Sequence, residues 1–199
     1  MLGRFLKETR TLDTTPTLLY DIVVQRSHML DKLKMVSGIL DKAGIDHAII
    51  GGLALAAHGV QRFTNDIDFI LEGEQRLVAK SSLLAHGFRL HFESHEVMQF
   101  TGDVDVDIIL ANRPMSQSML KEAKALEPFT IKTVGVEALI GLKIQAYSND
   151  KKREYKDKAD IAALIEKAES IDWNQIKVYA DLFDQWDEIL SIKEKMEAP

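Results

Sequence analysis

At 199 residues, 46% hydrophobic and 28% charged, the chain can bury a substantial core in one globular unit of one or two small domains. It contains no cysteine, which excludes disulfides, thiolate metal sites and cysteine nucleophiles and fits a reducing cytoplasm. With a formal net charge of −6, its surface as a whole is no general magnet for nucleic acid.

In chain order, the opening MLGRFLKETRTLDTTP has basic residues but lacks the apolar stretch of a secretory signal. No apolar run approaches the roughly 18 residues of a membrane span. A cytoplasmic protein without membrane contact is therefore expected. From about Leu18 to Ala43 apolar residues recur at three and four, which predicts a helix with a break near Ser27 and a stop at Gly44. A short apolar strand, His47 to Ile50, runs into Gly51-Gly52, and Leu53 to His58 reads as a brief helix. Asp66 to Leu71 alternates and then turns wholly apolar, as a strand entering a core does. Glu74 to His86 predicts a helix with Leu77, Leu83 and Leu84 on its buried side. Val97 to Phe100 and Val104 to Leu110 flank Thr101-Gly102-Asp103 and predict a hairpin. Ser116 to Ala125 reads as helix and Phe129 to Val134 as a short strand. After Val134 the character changes: Val136 to Tyr147, Asp157 to Ala168 and Asn174 to Met196 are all helical in pattern. The fold class expected is α+β, with a small mixed-sheet core over residues 1–134 and a helical region over 135–199.

The carboxylates carry the chemistry. Asp66 and Asp68 stand two apart on a predicted strand, so both side chains share one face. Two like charges side by side raise the cost of ionising each other. A divalent cation removes that cost, and Mg²⁺ is commonly held by one or two carboxylates plus substrate phosphates. Asp103, Asp105 and Asp107 alternate in the same way on the second arm of the hairpin. Asp107 is favoured as the third acid because Ile108-Ile109-Leu110 follows it as Phe69-Ile70-Leu71 follows Asp68; Asp105 is the alternative. Upstream, strand, double glycine and short helix make a place where backbone N–H groups approach a phosphate closely.

The order Gly51-Gly52, Arg62, then Thr64-Asn65-Asp66-Ile67-Asp68-Phe69 resembles the glycine-rich motif and Asp-x-Asp of the DNA polymerase beta-like nucleotidyltransferase superfamily. It is most similar to the AbiEii-type toxin branch. The family's third acid maps to Asp107. Its later motif, a helical lysine, a basic residue and D-x-x-D, maps to Lys143, Arg153 and Asp157 with Asp160, so the matches span about Ile49 to Ile165. The resemblance implies an enzyme that moves an NMP from an NTP to an acceptor hydroxyl on RNA such as tRNA, a protein or a small molecule. It implies two Mg²⁺ ions on Asp66, Asp68 and Asp107, nucleotide contacts from Gly51, Gly52, Arg62, Asp157 and Asp160, and Lys143 offsetting developing charge. It also implies the toxin of a toxin–antitoxin pair, with an antitoxin protein as partner. The alternative is a catalytically inactive nucleotide- or partner-binding module of the same fold. Many superfamily members carry Gly-Ser where this chain has Gly51-Gly52, which leaves the phosphate contact to backbone here.

Other constellations fall away. Asp103-x-Asp105-x-Asp107 lacks the glycine and glutamate of a calcium loop, with Ile108 and Pro114 in those places. His91 and His95 lack the glutamate of HExxH. Lys151-Lys152-Arg153 with Lys156 and Lys158 is the densest basic cluster, suited to a solvated helix start or to triphosphate or RNA backbone.

Overall fold

The computed structural model describes residues 15–126 and 130–197. Among them, seven strands form one mixed sheet, in the spatial order β3-β4-β5-β2-β1-β7-β6, with eight helices around it. The strands are β1 (His47–Ile49), β2 (Asp66–Glu72), β3 (Arg89–Glu93), β4 (Val97–Thr101), β5 (Asp105–Ala111), β6 (Lys124–Ala125) and β7 (Lys132–Thr133). The helices are α1 (Thr15–Lys42), α2 (Gly51–Ala57), α3 (Arg76–Ala85), α4 (Pro114–Glu122), α5 (Val136–Asn149), α6 (Glu154–Lys167), α7 (Trp173–Asp181) and α8 (Trp186–Glu197). No helix among the described residues is long and apolar enough to cross a membrane.

β2 lies mid-sheet because its sequence suits burial on both faces. Ile67, Phe69, Ile70 and Leu71 are all fully buried, the near-continuous apolar run of a covered strand. It pairs antiparallel with β1 and parallel with β5. β4 extends the sheet beyond β5 in antiparallel register, pairing Gln99 with Asp107 and Val97 with Ile109. A single buried apolar cluster runs from Leu33 of α1 through the sheet to Ile189 and Ile192 of α8. It is continuous across residue 134. α5 lies along the mixed half and carries α6 and α7, while Lys158 of α6 reaches Glu188 of α8 at 2.8 Å.

Several expectations are corrected. α1 is continuous through Ser27. α4 starts earlier than expected because Pro114 opens it, where its fixed φ suits a first helical turn; its end is shorter because Lys124–Ala125 pair with Lys132–Thr133. Of the strand expected over Phe129 to Val134, Lys132–Thr133 is observed and Phe129 lies outside the described residues. The helix expected over Asn174 to Met196 is two helices. At the break Asp184 takes φ 53 and the Gln185 N–H returns to the Ala180 carbonyl at 2.9 Å, so an aspartate fills the left-handed position that glycine usually marks. β3 went unpredicted because Arg89-Leu-His-Phe-Glu93 is largely exposed, an edge strand whose polar sequence blunts further pairing.

On α3 the buried stripe is narrow. Ala79 and Leu83 are inside, whereas Leu77 is 73% exposed and Leu84 44%. The i, i+4 pair alone meets the core. Leu83→Ala is therefore expected to cost about 2–5 kcal/mol and Leu77→Ala no more than about 0.5 kcal/mol, measured by urea denaturation; equal costs would contradict this packing.

Candidate active site

The site is built by strand register. β2 and β5 run parallel with Asp66 opposite Asp105 and Asp68 opposite Asp107. Residues two apart share a face, and neighbours across a ladder project together. Four aspartates on two adjacent strands therefore stand on one side of the sheet, while Ile67, Phe69, Val106 and Ile108 fill the other. The structure brings Asp66, Asp68 and Asp107 together, with Asp105 at the exposed end of its strand.

Electrostatics register the crowding. Burial pushes the Asp68 carboxyl up to about 7, with repulsion from Asp66 and Asp107 adding to it. A hydrogen bond from the Gly52 backbone and the charge of Lys143 work the other way. Asp107 is also raised, first by burial and then by Asp66 and Asp105, against a hydrogen bond from Gln99 and the charge of Arg153. Gln99 Nε2 donates to Asp107 Oδ2 at 3.0 Å from the facing position on β4.

The double glycine lies directly under these acids. Gly51 has φ +61, open to glycine at little cost, and a Cβ there would overlap the Asp68 carboxylate. Gly52 is the second residue of the short helix α2. Thr64, on the loop leading to β2, donates its hydroxyl to Asp66 Oδ1.

Facing the aspartates is a second group of charges. Lys143 of α5 is 7% exposed, and Asp157 and Asp160 of α6 are 0% and 5% exposed. Lys143 Nζ lies 2.8 Å from Asp157 Oδ1 and 2.6 Å from Asp160 Oδ2. Arg153 Nε donates to Asp157 Oδ2 at 3.0 Å, and Arg62 Nη1 stands 3.5 Å from Asp160 Oδ1. Three cations share two carboxylates, so positive charge is in excess. Without Lys143, Asp157 would keep Arg153 and Asp160 the more distant Arg62. Asp157 is not a helix cap: α6 begins three residues before it.

The site residues expected from sequence thus fall into two facing clusters, one of Asp66, Asp68 and Asp107 over Gly51 and Gly52, the other of Lys143, Asp157, Asp160 and Arg62. The sequence motif names Arg153 as its basic residue without giving it a partner, and it gives no role to Thr64 or Gln99. The i, i+4 spacing of Arg153 and Asp157 is a local signal for their pairing; Gln99 and Thr64 have none without the register.

The model of the family described as "Nucleotidyl transferase AbiEii toxin, Type IV TA system" matches residues 41–189. The chain belongs to this AbiEii family. No curated protein matches it in sequence. In structure it is similar to the antibiotic-resistance factor ANT(2″)-Ia, with a TM-score of 0.63 and 16% identity over 85% of this chain and 98% of that one. It is similar also to an antigenic nucleotidyltransferase-like protein from Paracoccidioides brasiliensis, with a TM-score of 0.54 and 19% identity over 82% and 90% of the two chains. A third similar structure is a putative nucleotidyltransferase from Thermotoga maritima, with a TM-score of 0.51 and 15% identity over 66% and 92%. At these identities the likeness is one of fold, the nucleotidyltransferase fold. The AbiEii match carries the family.

Does the donor set of this AbiEii-family chain fit a divalent cation? Among the described residues no three carboxylate or imidazole groups converge tightly enough to hold an ion by themselves. The aspartates form an open cradle instead. That suits Mg²⁺, whose octahedron is completed by phosphate oxygens and water, and the mutual repulsion of Asp66, Asp68 and Asp107 is what such a cation would relieve. Hard oxygen donors without a thiolate point to the same class of ion.

The raised Asp68 has a consequence for the cation-free protein. Between the ordinary carboxylate value and about 7 the folded state holds a proton that the unfolded state has lost, so stability falls as pH rises through that window. Asp68→Asn is expected to remove the slope. In EDTA at pH 8 it should melt several degrees above the unsubstituted protein, each kcal/mol being about 2–4 °C at this size, and at pH 4 the two should melt together. A difference that is the same at both pH values would contradict the burial argument.

Proposed function

We propose that this chain is a metal-dependent nucleotidyltransferase that moves an NMP from an NTP to an acceptor hydroxyl. The observation that supports this most is the register of β2 and β5, which gathers like-charged carboxylates opposite a positively charged wall. Family membership points to the same activity.

In this reading Asp66, Asp68 and Asp107 hold two Mg²⁺ ions. When bound, they neutralise the carboxylates, orient the triphosphate and lower the barrier to in-line attack at the α-phosphorus. Gly51 and Gly52 let the triphosphate approach the backbone. Arg62 and Lys143, held in place by Asp160 and Asp157, supply fixed positive charge where negative charge develops. Arg153 belongs with them, since its Nε is pinned by Asp157 and its charge is felt at Asp68 and Asp107. Asp107, whose carboxyl burial holds above its ordinary range, accepts the acceptor hydroxyl's proton. The acceptor oxygen forms its bond to the α-phosphorus as the bond to the bridging oxygen breaks, and pyrophosphate leaves. Residues 1–134 supply the carboxylates and glycines, and residues 135–199 supply Lys143 and its partners.

The acceptor in this reading is RNA such as tRNA, a protein or a small molecule. As to role, the AbiEii family is described as the toxin of a type IV toxin–antitoxin system, and we propose that role here, in the cytoplasm, with an antitoxin protein as partner.

Transfer of label from α-³²P-NTPs to cell RNA and metabolites in Mg²⁺ is expected. It should fall at least about a hundredfold in Asp66→Ala/Asp68→Ala, in keeping with the loss of a charge-stabilising group. A double variant that transfers as well as the unsubstituted chain would refute the assignment. Nucleotide binding in calorimetry with no transfer to any acceptor would favour the inactive module instead. Expression is expected to arrest growth, and the double variant to relieve the arrest; arrest that persists in the double variant would separate the toxic role from the carboxylates.

A further inference from the structure

Two independent observations meet at Thr64, on the loop between α2 and β2. The first is steric. Gly52 is not among the glycines with positive φ, so its backbone conformation is open to any residue. Its side of the chain is nevertheless occupied. A Cβ placed on Gly52 would stand 2.7 Å from Thr64 Cβ and 2.8 Å from Thr64 Oγ1, well inside the 3.5–4.0 Å at which carbon atoms rest against one another. Position 52 is glycine because Thr64 fills the volume that its side chain would take.

The second observation is chemical. The hydroxyl that fills this volume donates to Asp66 Oδ1, while the backbone of Gly52 donates to Asp68. The pair of residues in contact therefore holds one acid each. A carboxylate on a strand end turns freely about its side-chain bonds, and ordering it for a cation costs entropy that a fixed donor removes in advance.

We propose that Thr64 is a positioning residue. Its hydroxyl, seated on the bare face of Gly52, fixes the Asp66 carboxylate in the orientation that receives a divalent cation, and the close Gly52–Thr64 contact locks that hydroxyl in place. The proposal rests on the reading of Asp66 and Asp68 as cation ligands. It assigns Thr64 no contact with substrate. Side chains at 52 and 64 exclude one another, so the energetic effects of changing them are coupled.

The test uses the full chain and Mn²⁺ alone, followed by electron paramagnetic resonance titration. Thr64→Val keeps the shape and removes the donor, and Thr64→Ser keeps the donor. Thr64→Val is expected to weaken Mn²⁺ binding about tenfold, the lower end of what loss of a metal ligand's hydrogen-bond partner costs, with Thr64→Ser within about twofold of the unsubstituted chain. In parallel, thermal melts of Gly52→Ala, Thr64→Gly and the double variant are expected to be non-additive, because Thr64→Gly clears the space that the methyl group added by Gly52→Ala needs. Mn²⁺ affinity unchanged in Thr64→Val, or additive melting shifts, would overturn the proposal. Transfer assays on the same variants keep the two readings apart. An unsubstituted chain that binds Mn²⁺ but transfers nothing removes the enzymatic reading while Thr64 stands on binding and coupling. Unchanged Mn²⁺ affinity and transfer in Thr64→Val removes the role of Thr64 and leaves the enzyme.

Discussion

Like charges held side by side by backbone pairing are the constraint from which the rest of this molecule follows. Once β2 and β5 run parallel with Asp68 opposite Asp107, hydrogen bonding of the two strands and repulsion of their carboxylates oppose each other. The sheet is kept together from the other face, where Ile67, Phe69, Val106 and Ile108 are fully buried. Each such side chain contributes about 1.5–3 kcal/mol, enough to offset the electrostatic cost. The Asp68 carboxyl, raised first by its burial, is raised further by that repulsion. Active sites commonly hold such tension, and in the function proposed here a cation with its nucleotide would relieve it.

The helical half answers the sheet's charge without neutralising it. Lys143, Arg153 and Arg62 are close enough for Lys143 to be felt at Asp68 and Arg153 at Asp107, yet each also leans on Asp157 or Asp160. A lysine bound to two buried acids is a rigid positive charge, not a mobile one. Acid and base clusters face each other, an arrangement suited to the proposed triphosphate, whose own charge needs cations on both sides. Because the lysine comes from α5 and its acids from α6, the packing of these two helices sets the geometry of the wall. In the proposed function the α/β half and the helices complete one site together.

How much of this could be read in the sequence depended on whether the signal was local. The shared face of Asp66 and Asp68 follows from a period of two, and the apolar run after Asp107 marks it as the equivalent point on a second strand. That Asp107 stands beside Asp68 is a matter of register, which no local pattern contains. The resemblance gives Lys143 the task of offsetting developing charge, and its two carboxylate partners come from another helix. Thr64 and Gln99 touch the acids from a loop and from a facing strand, so their roles needed the fold. The misplaced features have physical reasons of the same kind. β3 is a polar edge strand; the α7–α8 turn has an aspartate in its left-handed position, so no glycine marks the break; on α3, Leu77 and Leu84 are apolar residues on a surface with no core opposite them.

In the proposed function Asp66, Asp68 and Asp107 converge on a cation shared with a nucleotide. A crystal structure of the chain with Mn²⁺ and a non-hydrolysable NTP, with anomalous data at the manganese edge, tests it most directly. A manganese peak is expected within bonding distance of carboxylate oxygens from both β2 and β5, with phosphate oxygens on its far side. Manganese bound elsewhere, or held by β2 while Asp107 turns away, would contradict it.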